Sequence, residues 1–266
     1  MTDMHCTAVE AGRASCTCGW KSPQVSSPYG LEQMATWHRL SVDATIDNPL
    51  LTAYLAPVSE AERTSPAAKV VADNPLASEW MLHRVRRELL TAEYAWAIPT
   101  EPVLHRLAEL SPICDLGCGT GYWASLLAKA GAEVLAVDAL PPLGAENRWH
   151  RTEGKLFGRQ ATIRHFVDIV LGDAATFDVP SSHTLMLCWP PYDSSMAAEA
   201  LARYRGDRVI YIGEGGSGCT ADDAFHDALA DQWSEVNVFE IPQWPGIHDA
   251  VYVYERAAGD HRTDRS

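Results

Sequence analysis

Apolar residues recur along this chain at two different periods, and the change from one to the other divides it. From Pro28 to Leu55 the spacing of Leu31, Met34, Ala35 and His38 is helical, and Pro49 opens a further short helix. The tetrapeptide Asp-Asn-Pro-Leu occurs at Asp47–Leu50 and again at Asp73–Leu76, each time ahead of an apolar stretch. It reads as one helix-start device used twice, a polar cap before a proline at an early helical position. Glu79–Ala95 puts Leu82, Val85, Leu89 and Tyr94 on one side of a helix, with Arg84, Arg86 and Arg87 largely elsewhere. Together with His83 these arginines read as a solvated helix face, with contact to an acidic partner or substrate as the alternative. After a break at Ile98-Pro99, Thr100 caps a helix that runs through Leu110.

From Ile113 onward the pattern becomes strand, turn, helix, repeated. The strands expected are Ile113–Leu116, Glu133–Val137, Asp168–Leu171, Thr184–Cys188, Arg208–Ile212, Glu235–Ile241 and Ala250–Tyr254. The first five are short apolar runs, as for strands covered on both faces by helices. One helix, Ala221–Gln232, precedes the sixth strand, whereas Pro242–Asp249 leaves no room for a crossover helix between the last two, so these pair antiparallel. The expectation is an α/β chain with a Rossmann-like seven-stranded sheet, an antiparallel last strand and a helical N-terminal extension. Its parts are a Cys-containing segment (1–30), a helical extension or cap (31–110), the sheet core (111–258) and a polar tail (259–266).

Charge narrows the range of partners. Across 266 residues, 35 acidic side chains against 21 Lys and Arg give a net charge of −14, which argues against generic affinity for a phosphate backbone. No stretch approaches the ~20 apolar residues of a membrane helix, and the start MTDMHC lacks the basic and apolar parts of a signal peptide. A cytoplasmic protein with no membrane partner is expected. Seven cysteines in a chain of this size are read as reduced thiols, with Cys114, Cys118, Cys188 and Cys219 as small buried residues.

The most informative run is Asp115-Leu116-Gly117-Cys118-Gly119-Thr120-Gly121, between the first of these strands and the helix Tyr122–Ala130. Alternate glycines let the backbone turn sharply and approach a ligand with no Cβ in the way. Asp138, at the end of the next strand, is placed to accept hydrogen bonds from ribose hydroxyls. A dinucleotide fingerprint would need glycine where Tyr122 stands, and an acid at the strand end repels phosphate but suits a cation.

These residues resemble the class I S-adenosylmethionine-dependent methyltransferases over roughly Tyr94 to Arg256. Asp115–Gly121 is similar to their first motif, Asp138 to their ribose-binding acid, and Gly172-Asp173-Ala174 to the acidic turn that contacts adenine. The resemblance implies S-adenosylmethionine as cofactor, held by Tyr94, Asp115, Gly117, Gly119, Gly121, Asp138, Asp173, Trp189 and Pro190, and methyl transfer to a small-molecule nucleophile. Trp189-Pro190-Pro191-Tyr192 resembles the Pro-Pro-Tyr motif of enzymes that methylate amino groups of nucleic-acid bases. Its first position is an indole here, which donates one hydrogen bond and accepts none, so it does not hold an amine in that way. Base methylation is therefore the second reading, and a non-catalytic nucleotide-binding or interaction module the third. Tyr192, Asp193 and His248 are the candidate catalytic residues, with Asp249 beside His248 to orient it; Glu214, at the end of the fifth strand, is a further candidate base, and Gly213–Gly218 reads as a mobile turn over the pocket.

Cys16-Thr17-Cys18, with His5 and Cys6 before it and His38 after it, supplies enough ligands for a four-coordinate zinc site, although C-x-C is tighter than the usual C-x₂₋₄-C pair. The ligand set expected is Cys16, Cys18, His38 and either Cys6 or His5.

Overall fold

The computed structural model describes residues 7–10, 12–22, 28–64, 75–140, 147–150, 160–216 and 218–257. It begins with a feature that apolar periodicity did not announce, an antiparallel hairpin of β1 (Thr7–Glu10) and β2 (Arg13–Cys16), with Thr7 opposite Cys16. Helices α1 (Pro28–Val42), α2 (Pro49–Leu55), α3 (Glu60–Arg63), α4 (Pro75–Glu93) and α5 (Glu101–Ala108) follow.

Both Asp-Asn-Pro-Leu copies lead into helices that start at the proline. In the first copy the Asn48 side chain accepts from Leu51 N at 3.0 Å, filling an N-cap bond that proline cannot make. The same amide donates to Pro99 O at 2.8 Å and accepts from Tyr122 Oη at 2.8 Å, so one side chain ties α2 to the segment before the sheet and to the helix after the glycine loop. In the second copy the capping Asn74 lies outside the described residues.

The arginine cluster of α4 is not a solvated face. Arg86 is buried, with a bidentate pair to Glu62 at 2.9 and 2.7 Å and a further bond to Ala56 O at 2.6 Å, because the ends of α2 and α3 converge on it. Arg84 is exposed, and Arg87 turns into the cavity described below.

The main sheet contains β3 (Ile113–Leu116), β4 (Val134–Asp138), β5 (Val170–Leu171), β6 (Thr184–Cys188), β7 (Arg208–Gly213), β8 (Trp233–Glu240) and β9 (Ala250–Arg256). Their spatial order is β5-β4-β3-β6-β7-β9-β8, with β9 antiparallel to both neighbours and the other pairs parallel. Helices α6 (Tyr122–Lys129), α7 (Met196–Arg203) and α8 (Asp223–Gln232) complete the fold.

Strand residues alternate strictly between two cores. Ile113, Met186, Ile210, Ile212, Val251 and Val253 join the helices α1, α2, α5 and α6 on one face. Cys114, Leu185, Leu187, Val209 and Tyr211 join α7 and α8 on the other. Each full burial of such an aliphatic side chain contributes roughly 1.5–3 kcal/mol, and two-sided cover is why these strands read as continuous apolar runs. The third strand departs from that expectation: β5 is a two-residue edge, and Val170 and Leu171 are exposed. Met34, Trp37, Leu50 and Tyr54 lie in the same core cluster as Ile113 and Trp244, so the helical extension is packed into the sheet's own core.

Candidate functional site

Chain order fixes where a ligand can enter. From β3 the chain winds outward through β4 and β5, then returns to β6 on the other side of β3. The carboxyl ends of β3 and β6 therefore flank the switch point, where the flanking loops run in opposite directions and leave a crevice.

After β3 the backbone turns through Gly117, Gly119 and Gly121, all at positive φ (+78°, +57° and +73°). All three also need the absence of a side chain: a Cβ on Gly117 would strike the Met196 methyl, one on Gly119 would fall on the His150 imidazole, and one on Gly121 would meet the Val167 side chain. The turn is anchored from β4. Val137 O accepts from Gly117 N and Cys118 N at 2.8 and 3.0 Å, and Asp138 Oδ2 accepts from Gly119 N at 2.8 Å. Asp138 Oδ1 accepts from Leu140 N at 2.8 Å, so this carboxylate holds the loop by one oxygen and the end of its own strand by the other.

Above the turn lies a cavity of about 480 Å³, within the ~300–1,000 Å³ usual for small-molecule sites. Its floor is Asp115, fully buried, with neither carboxylate oxygen hydrogen-bonded among the described residues. Burial first, then the neighbouring charge of Asp138, pushes its pKa up to about 8. A carboxyl group kept dry and unpartnered at a cavity floor is a site for a cationic ligand group. Asp138 is also raised, by burial. Asp173 completes the acidic rim and accepts from Ala175 N at 2.8 Å.

The wall over β6 is aromatic. Trp189 sits at φ +54°, a conformation that costs a bulky residue about 1–3 kcal/mol. Three contacts hold it there: its indole N–H donates to Asp249 Oδ2 at 2.9 Å, its ring stacks on Trp96 at 5.4 Å, and the Arg87 guanidinium lies over both rings at 5.2 and 5.3 Å. The only donor of the indole is thus spent on Asp249, whose pKa burial lifts to about 6 and whose Oδ1 is buried without a partner. Arg87 Nε is likewise buried and unpartnered, and burial lowers the pKa of this guanidinium.

Comparison with known proteins gives this geometry a family. Residues 114–204, from β3 through α7, match the family model described as "Methyltransferase domain". That part of the sheet core is similar to a methyltransferase domain. A ubiquinone biosynthesis O-methyltransferase from Methylocella silvestris is 34% identical over 114 residues, which cover 40% of this chain and 43% of that protein, so the match spans less than half of the curated relative. Among solved structures, magnesium protoporphyrin IX methyltransferase from Synechocystis PCC 6803 is 14% identical, with 65% of this chain and 87% of that chain covered and a TM-score of 0.41. A 1,6-didemethyltoxoflavin-N1-methyltransferase from Burkholderia thailandensis is 16% identical over 94% of this chain and 98% of that one, at a TM-score of 0.39. Scores this low say nothing about substrate or mechanism.

One cavity brings together Tyr94, Asp115, Gly117, Gly119, Asp138, Asp173, Trp189, Pro190 and Tyr192. Gly121 lies behind it, as the first residue before α6, with Val167 where its Cβ would be. Asp193 is outside the lining and forms a surface pair with Arg148 at 3.1 Å. His248 is exposed and also outside it; its backbone N–H donates to Glu214 Oε1 at 2.7 Å. Glu214 is buried and accepts from Cys219 N as well, which ties the Gly213–Gly218 turn to the strand end before β9. Cys219 is exposed at the cavity mouth and is not the buried residue expected.

The lining includes Arg87, which the sequence offered only as one of a basic cluster that could meet an acidic substrate, and residues that sequence reasoning missed. Of these, Trp96 comes from the extension, Met196 from α7, and Asn147, Trp149 and His150 from the segment after β4. Buried Asn147 accepts from Trp149 N and His150 N at 2.9 and 3.1 Å, which presents the imidazole over Gly119. His150 Nδ1 faces Ala92 O at 3.4 Å, so the tautomer assigned from that partner leaves Nε2 as an acceptor, and burial lowers its pKa. No periodicity or spacing marks residues 147–150.

Away from the domain, Cys16, Cys18 and His38 lie with ligand atoms within 4.8 Å of one another. Cys6 and His5 lie outside the described residues.

Proposed function

We propose that this chain transfers the methyl group of S-adenosylmethionine to a small acceptor bearing an anionic or ionisable oxygen. The observation that carries the cofactor assignment is Asp115, a fully buried carboxyl group with two unpartnered oxygens on the floor of a cavity rimmed by a glycine turn. S-adenosylmethionine would supply there a methyl carbon borne on a sulfonium, which passes to the acceptor nucleophile as a neutral thioether departs.

The residues divide the work. Asp115 offers its carboxylate to the cationic amino-acid end, while the bare backbone at Gly117 and Gly119 allows close approach. Asp138 keeps a lone pair on each oxygen after its two backbone bonds, enough to accept from ribose hydroxyls. Asp173 and Tyr94 flank the same volume. His150 Nε2 provides a neutral acceptor at the turn.

Support for the acceptor class comes from Arg87. Among the described residues it is the one Lys or Arg lining the cavity, its Nε has no partner, and it is held against two indoles. A carboxylate or phenolate would meet it with a charge-assisted bond. The O-methyltransferase name of the curated relative agrees with that chemistry. The nucleic-acid reading is the weaker one, since the Trp189 indole is committed to Asp249 and the chain carries −14.

Calorimetry with S-adenosylmethionine tests the first step. Asp138→Ala is expected to weaken binding about 10–100-fold, the worth of losing hydrogen bonds to a charged acceptor, with circular dichroism unchanged. Unchanged affinity in both Asp138→Ala and Asp115→Asn would defeat the cofactor assignment. Turnover of phenols and carboxylates, set against salt-dependent retention on DNA or RNA, separates the acceptor readings.

A further inference from the structure

We propose that Cys16, Cys18 and His38 form a structural zinc site that clamps the N-terminal hairpin to helix α1. It is independent of the methyl-transfer reading and lies outside the matched domain.

Three ligand atoms already converge. Cys18 Sγ is 3.3 Å from His38 Nε2, and with Cys16 Sγ they lie within 4.8 Å of one another. A tetrahedral zinc with bonds of ~2.3 Å to sulfur and ~2.0 Å to nitrogen requires ligand separations of about 3.4–3.8 Å, which small side-chain rotations reach. The backbone is shaped for it as well. Cys16 N donates to Trp20 O and Gly19 N to Cys16 O, both at 2.9 Å, and Gly19 takes φ +92°, so the chain reverses within Cys16–Gly19 and presents both thiols on one side.

His38 is held as a ligand needs to be. It is buried on α1, its ring lies flat on the Trp20 indole at 4.1 Å, and that indole is fixed by its N–H donating to Leu55 O at 2.9 Å. A metal between this buried imidazole and the two cysteine sulfurs that face it would join the turn after β2 to α1. Cysteine thiolates with an imidazole are the ligand types of structural zinc sites.

The experiment uses the full chain, untagged and purified without added metal. Elemental analysis and native mass spectrometry are expected to find stoichiometric zinc, and cobalt exchange to give the visible bands of tetrahedral thiolate coordination. Cys16→Ser, Cys18→Ser and His38→Ala should each lose stoichiometric metal, whereas His38→Cys, which returns a thiolate, should retain it. That rescue separates coordination from mere packing under Trp20. Chelation of the unmutated protein, which needs no variant to fold, should raise hydrogen exchange in residues 12–22 and 28–42 and leave the main sheet protected. Zinc-free protein from zinc-replete cells, or a metal load that survives Cys16→Ser and Cys18→Ser, overturns the site.

Discussion

Asp115 has a pKa near 8 in a protein that would need it ionised to hold a cation, and the consequence is measurable. Below pH 8 the empty site carries a proton that must leave on binding, so affinity for S-adenosylmethionine should rise with pH, by up to about tenfold per unit between pH 6 and 8. Asp115→Asn cannot release that proton, and its affinity should be lower and nearly flat over the same range; calorimetry in buffers of different ionisation heat reads both. Arg87 belongs to the other half of the cavity. Arg87→Leu keeps much of the packing against Trp96 and Trp189 and loses the charge, so KM for an anionic acceptor is expected to rise about 10–100-fold with cofactor affinity unchanged. An equal rise for a neutral acceptor would deny Arg87 that role. The acids of the site were legible in the sequence because each stands at a strand end beside a recognisable turn. Trp96 and His150 were not, and Arg87 was legible only as one of a cluster, since all three reach the cavity from elements whose relation to it is set only by tertiary packing.

Among the elements, the strands declared themselves through short apolar runs, and the antiparallel pairing of the last two followed from one short connection, Pro242–Asp249. Helix α7 did not. Its buried residues include Ala197 and Ala200, too small to mark a face, and it follows Pro190-Pro191 without a side-chain cap. The hairpin β1–β2 was equally silent, because its two four-residue strands carry no apolar run to mark them. The joint between α2, α3 and α4 shows the same limit with a charge: Arg86 looked like one more surface arginine, yet Glu62 and backbone carbonyls surround it. Glu62 is held below the usual carboxylate range by its bonds to Arg86 and Ser59, which outweigh its desolvation. Glu62→Ala strands a nearly buried guanidinium and should cost about 3 kcal/mol in chemical denaturation, near the lower end for breaking a buried pair. A loss below ~0.5 kcal/mol would mean that water replaces the carboxylate and that the joint admits solvent.

For the molecule as a whole, acidity and burial act in the same direction. Asp115 and Asp249 have folded-state pKa values near 8 and 6, both above the 3.8 of an exposed aspartate. Between those limits the folded chain binds protons that the unfolded chain has released, so the slope of stability with pH is negative: the contribution is complete below about pH 4 and is lost as pH rises through 6 and then 8. Glu62, Glu101 and Glu214 are shifted the opposite way by their hydrogen bonds, and their contribution is lost only as pH falls below the ordinary glutamate range. The two sets together place the optimum on the acid side of neutrality, near pH 5–6, and the net charge of −14 adds self-repulsion above it. Thermal unfolding is therefore expected to show Tm falling by roughly 3–10 °C from pH 6 to pH 9, at about 2–4 °C per kcal/mol for a chain of this size. Saturating S-adenosylmethionine should recover most of that loss, because a cation beside Asp115 removes the reason for it to stay protonated, and the fall should be shallower in Asp115→Asn. A Tm that is flat or rising to pH 9 would place water or a counter-charge against that carboxylate, and with it would go the physical ground for a cationic ligand at the end of β3.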